Sequence, residues 1–89
     1  MITSTSNAKV KYLVNLKKKR KERDKENVFL VEGIRMFREV PADKLKEVYV
    51  SESFYKKEKS LADEIAGRSK KRVEILADNV FSHVSDTMT

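Results

Sequence analysis

The chain has 89 residues, and its 20 Lys and Arg against 14 Asp and Glu give a formal net charge of +6. This length suits one small domain, residues 1–89, and excludes a multidomain enzyme with a large substrate cleft. With no cysteine, the chain can form neither disulfides nor thiolate metal sites. Its longest apolar run, residues 28–31, is far below the roughly 20 residues that span a bilayer. We therefore expect a cytoplasmic protein without a membrane partner.

The first predicted element is a basic helix. Asn7 is of a residue type that caps helices, and Val10 and Leu13 follow it at helical spacing. This pattern predicts a helix over about residues 8–21. The polar residues 21–27 are expected to fray from its end.

The middle of the chain predicts a strand, a helix and a second strand. Residues 28–31 (VFLV) are short, apolar and rich in β-formers, which predicts a buried strand that Gly33 closes. A second helix is expected to run from Gly33 to Val40, where Pro41 stops it. Residues 46–50 (KEVYV) predict the second strand.

The C-terminal half continues the alternation of helices and strands. Residues 51–55 predict a loop or short helical turn, and a third helix is expected to end near Gly67. Residues 72–76 predict a third strand, and Asp78 is expected to cap a short last helix. This order predicts an α/β domain, with a short sheet of three or four strands and helices on both faces.

The positive charge is concentrated at the N-terminus. Residues 1–26 hold nine Lys or Arg and three acidic residues, whereas residues 27–89 hold 11 of each kind. The first segment therefore carries the whole net charge, which is typical of a domain that binds a polyanion. The basic run at residues 17–21 is also compatible with a solvated helix end.

The sequence contains no catalytic pattern. His83 is the only histidine and has no partner pattern for a nucleophilic triad, and two glycines cannot build a glycine-rich phosphate loop. Gly33 precedes a predicted helix, where free N–H groups and Arg35 could bind a phosphate; a simple turn with a solvated arginine explains the pattern equally well. Four aromatic residues could stack on bases, although no strand interleaves aromatic and basic residues: Tyr12, Tyr49, Phe54 and Tyr55.

Three motifs combine into a recognisable order: residues 6–11 (SNAKVK) with the basic helix end, residues 29–33 (FLVEG) with Arg35, and residues 84–87 (VSDT). Over residues 2–89 this order resembles the N-terminal substrate-binding domain of the SpoU/TrmH family of RNA methyltransferases. Ala8 departs from the pattern, because the family often has proline there. Proline fixes φ at a first helical position, so the exchange should matter little.

The resemblance implies a small three-layer α/β/α sandwich with a short mixed sheet, similar to the ribosomal kink-turn-binding proteins. Such a domain grips structured RNA, either rRNA or tRNA. In the family, a C-terminal knotted domain binds S-adenosylmethionine and methylates a ribose 2′-hydroxyl, usually as a homodimer. Residues 84–89 would begin the linker to that domain. We therefore expect this chain to bind RNA, to hold no cofactor and no metal, and to catalyse nothing by itself.

The resemblance also assigns the RNA-binding residues. These predicted residues are Asn7, Lys9, Lys11, Lys18, Arg20, Arg23, Gly33 and Arg35. Two alternatives stay open from the sequence: a free-standing kink-turn-type RNA-binding protein, and a basic protein-interaction module that meets an acidic partner.

Overall fold

A computed structural model describes residues 1–70 and 72–87 of the chain, and it combines helices with a two-stranded sheet. The elements in chain order are α1 (Ala8–Lys18), α2 (Arg20–Glu26), α3 (Ile34–Glu39), β1 (Val48–Ser51), α4 (Glu52–Lys57), α5 (Lys59–Ser69), β2 (Val73–Leu76) and α6 (Asp78–Ser85). A short 3₁₀ turn, Ala42–Lys44, precedes β1. The prediction of a small α/β domain is confirmed. No helix in the described part of the chain is long and apolar enough to cross a membrane.

Within the described residues the sheet has two strands, which run parallel, whereas the sequence predicts three or four strands and the resemblance implies a mixed sheet. Strands β1 and β2 pair in parallel with Tyr49 opposite Glu74, and Ile2 adds a parallel bridge beside Leu76. The Ile2 N–H donates to the carbonyl of Ile75 at 2.8 Å. The direction follows from the connection, because parallel strands need a long crossover, which α4 and α5 supply here.

Helices cover both faces of the sheet. Side chains alternate along a strand, so Tyr49, Glu74 and Leu76 share one face. On that face Leu76 packs with Val10 of α1 and Val80 of α6, and these three side chains are almost fully buried. Full burial of each contributes about 1.5–3 kcal/mol. Helix α5 contacts both strands and buries Ala62 and Ile65, which completes the α/β/α layers.

The first predicted helix is two helices in the structure. Lys19 has extended backbone angles, φ −119° and ψ 108°, and interrupts the helical path between α1 and α2. The residues expected to fray are helical through Glu26, and Asn27 ends α2 in the left-handed conformation with φ 56°. Asparagine tolerates this conformation better than most residues, which explains the stop at this position.

The predicted buried strand at residues 28–31 is wrong. These residues are irregular in the structure, and Phe29 is 75% exposed. An apolar run becomes a strand only where a neighbouring strand pairs with it, and the described ladder of β1 is formed with β2. At the other end of the chain, Val84 and Ser85 of the expected linker lie in α6, while Met88 and Thr89 are outside the described residues.

Candidate nucleic-acid interface

Helix α1 presents two exposed lysines on one face. Its start is fixed by Asn7, whose side-chain oxygen accepts a hydrogen bond from the backbone N–H of Lys9 at 2.8 Å. One side of α1 carries buried apolar residues, Val10 among them, and packs against the core. Lys11 and Lys18 lie seven residues apart on the opposite side, which places them about 10 Å apart along the helix axis.

Both of these lysines are free to contact a ligand. Lys11 and Lys18 are exposed, and neither forms an ion pair within the described part of the chain. Helix α1 itself has no acidic residue that would compete with a phosphate. Lys9 is different, because its ammonium group contacts the Glu74 carboxylate at 2.8 Å. The hydrogen bond from Lys9 lowers the pKa of Glu74 and so favours its carboxylate form.

Arg23 has a structural role in addition to its predicted one. Its guanidinium donates hydrogen bonds to the backbone carbonyls of Leu16 and Lys17, at 2.7 and 2.8 Å. These carbonyls belong to the last turn of α1, where no further helical N–H can reach them. Arg23 therefore holds α2 against the end of α1 across the break at Lys19.

Lys17 also stabilises the fold, although it belongs to the basic run. Its side chain is only 14% exposed, and its ammonium group contacts Glu32 at 2.7 Å and donates to the backbone carbonyl of Ser85. It thereby joins α1 to the segment before α3 and to the end of α6. Sequence reasoning missed this role, but a signal exists: Lys17 follows Leu13 by four residues, on the apolar side of α1.

The remaining predicted RNA-binding residues lie at the start of α2, which has Arg20, and at the start of α3, which has Gly33 and Arg35. Arg20 lies 3.9 Å from Asp24 with both side chains strongly exposed, so that this ion pair is weak and leaves Arg20 accessible. Gly33 has φ 89° and precedes α3, which carries the exposed Arg35. Glycine suits this φ because it has no Cβ. The structure does not show Gly33 or Arg35 in contact with the cations of α1.

The described polar contacts of α3 are made with α5. Arg38 lies 3.7 Å from Glu64, and the guanidinium of Arg68 stands over the Phe37 ring at 5.7 Å. Arg68 also donates to the carbonyl of Val40 at 2.7 Å. Within residues 1–70 and 72–87, no cluster of acidic and histidine side chains could hold a metal ion.

The model of one protein family, described as the MRM3-like substrate binding domain, matches residues 7–89. The chain belongs to this family. The match supports the resemblance at a coarser level, that of a substrate-binding domain of an RNA methyltransferase. Comparisons with curated proteins and with solved structures found no match.

In this MRM3-like substrate binding domain, the predicted cations have unequal tasks. Lys9 and Arg23 form polar contacts within the fold. Three other cations are exposed to solvent along α1 and at the start of α2: Lys11, Lys18 and Arg20. We call these last three residues the α1 cation face. Exposed cations on neighbouring helices can contact phosphates of a nucleic acid without disturbing the core.

Proposed function

We propose that the chain is an RNA-docking domain that presents folded rRNA or tRNA to a SpoU/TrmH-type 2′-O-ribose methyltransferase domain. The observation that carries the proposal is the α1 cation face on a member of a substrate binding domain family. S-adenosylmethionine belongs to the knotted domain of such an enzyme, and no residue of this chain is assigned to it. The full protein would act as a homodimer in the cytoplasm.

The distribution of charge favours RNA as the ligand. The remainder of the chain, residues 27–89, carries no net charge that would attract polyanions in general, so we expect the N-terminal segment to supply most of the affinity. Phosphate contacts supply affinity without sequence information, and structured RNA is recognised largely by its shape. A rigid helix that holds Lys11 and Lys18 at a fixed spacing suits this mode of recognition.

The test compares two double variants with equal changes in charge. Lys11→Gln with Lys18→Gln removes two members of the α1 cation face. Lys57→Gln with Lys59→Gln removes two exposed lysines of α4 and α5, which pack on the sheet away from α1. The readout is the affinity for a folded rRNA fragment across a salt series.

Loss of two phosphate contacts should weaken RNA binding by about 25- to 60-fold near 0.1 M salt, since each contact contributes a slope of roughly 0.7–0.9. The control variant should stay within about twofold of the unchanged chain, with the same salt slope. Equal losses in both variants would show that only net charge matters. Retained RNA affinity in the first variant, with loss of binding to an acidic protein, would favour the protein-interaction alternative.

A further inference from the structure

An open groove of about 380 Å³ lies between the first turns of α1 and the first residues of the two strands. The aromatic rings of Tyr12, from α1, and Tyr49, from β1, both line it. Tyr12 follows Lys9 by three residues, so the groove and the ion pair of Lys9 share one side of α1. The groove therefore borders α1, on a different side of this helix from Lys11 and Lys18.

The acidic groups of the groove are already engaged. Glu74 is paired with Lys9 at 2.8 Å, and Glu47 accepts a hydrogen bond from the Tyr49 hydroxyl at 2.5 Å. Two further cations, Lys46 and Arg72, line the groove, are exposed, and form no ion pair among the described residues. The groove thus combines aromatic walls with unpaired positive charge, which is the combination that a nucleotide needs.

We propose that this groove binds one unpaired nucleotide of the RNA, with its base against Tyr12 and Tyr49 and its phosphate near Lys46 and Arg72. The inference rests on the proposed function, because the nucleotide belongs to the RNA that the domain docks. It adds a base-contacting subsite to a surface that otherwise contacts only phosphates. It also explains how the domain could select a bulge or loop over a continuous duplex.

The dimensions and chemistry of the groove favour this occupant. Its volume lies within the roughly 300–1,000 Å³ of small-ligand sites, which suits a single nucleotide. Burial and the nearby Glu47 raise the pKa of Tyr49, and partial burial raises the pKa of Tyr12. Both rings therefore stay neutral, and neither adds a charge that would repel a phosphate.

The experiment uses two RNA hairpins that differ in one nucleotide. The first has a single unpaired adenosine in its stem, and the second is fully paired. The unchanged chain should bind the bulged hairpin about tenfold more tightly, as expected for one base stacked on an aromatic side chain. Tyr12→Phe keeps the ring and should keep this preference. Tyr12→Leu should lose it and leave the affinity for the paired hairpin unchanged.

A control and a second measurement separate stacking from damage to the fold. Tyr55→Leu changes a tyrosine of α4 outside the groove and should preserve the preference. Replacing the bulged adenosine by 2-aminopurine reports stacking on the unchanged chain, because its fluorescence falls when it stacks. Equal binding of both hairpins without quenching would overturn the inference and leave the proposed function standing. Failure to bind either hairpin would overturn the proposed function itself.

Discussion

Lys17 should stabilise the fold, although it lies in the most basic run of the sequence. Its ammonium group, on a side chain only 14% exposed, contacts Glu32 and the carbonyl of Ser85. A hydrogen bond from a charged group contributes about 1.5–3 kcal/mol, whereas an ion pair with a half-exposed carboxylate contributes at most about 1 kcal/mol. Lys17→Met keeps the aliphatic stem and removes both contacts. It should lower the free energy of unfolding by about 2–3 kcal/mol.

Thermal unfolding followed by circular dichroism measures this effect, and the midpoint should fall by about 10 °C or more. The matched control is Lys18→Met, which changes the neighbouring exposed lysine and should stay within about 0.5 kcal/mol of the unchanged chain. RNA affinity should fall more in Lys18→Met than in Lys17→Met, which is the reverse of their order in stability. Equal midpoints for the two variants would refute the structural role of Lys17.

Three further changes test other contacts of the fold. Arg23→Gln should lower the free energy of unfolding by about 1–3 kcal/mol in urea denaturation, because two carbonyls at the end of α1 lose a charged donor. Asn7→Ala should cost about 1 kcal/mol in the same assay through loss of the helix cap. Hydrogen bonds from the Ser53 hydroxyl and N–H lower the pKa of Asp78, so its ionised form stabilises the folded state. This contribution is present above the unfolded pKa and is lost as the pH falls; the unchanged chain should therefore lose more stability than Asp78→Asn between about pH 5 and pH 2.

Local signals predicted most of the elements. The capping residue Asn7, the apolar spacing that follows it and the stop at Pro41 depend on neighbours within a few residues, and the structure confirms all three. The strand predictions at residues 46–50 and 72–76 likewise lie within two residues of the observed ends of β1 and β2. Such signals depend on residues within one turn or one strand, so they can be recognised from the sequence alone.

Features that depend on distant contacts could not be predicted. Residues 28–31 have the composition of a strand, but a strand also needs a hydrogen-bonded neighbour, which composition does not reveal. The cap that Arg23 gives to α1 requires the break at Lys19, and no glycine or proline marks that break. Asp78 binds Ser53 from α4 instead of capping α6, whose N-cap position is Ala77.

The candidate site was only partly visible in the sequence. The count of charges located the basic segment, but only the structure separates the exposed Lys11 and Lys18 from the engaged Lys17. The groove could not be predicted from the sequence for a different reason. Tyr12 and Tyr49 are 37 positions apart in the sequence, and the packing of α1 on the sheet brings their rings to one groove.

The most direct test of the account is the affinity of the chain for a folded rRNA fragment and for a DNA duplex of equal length across a salt series. If the α1 cation face makes three phosphate contacts and the groove makes one, log K should fall against log salt with a slope of about −3 to −4. The account predicts this slope together with binding to folded RNA about tenfold tighter than to the duplex, because RNA shape and the groove add to the phosphate contacts. A flat salt dependence, or equal affinity for RNA and DNA, would contradict it.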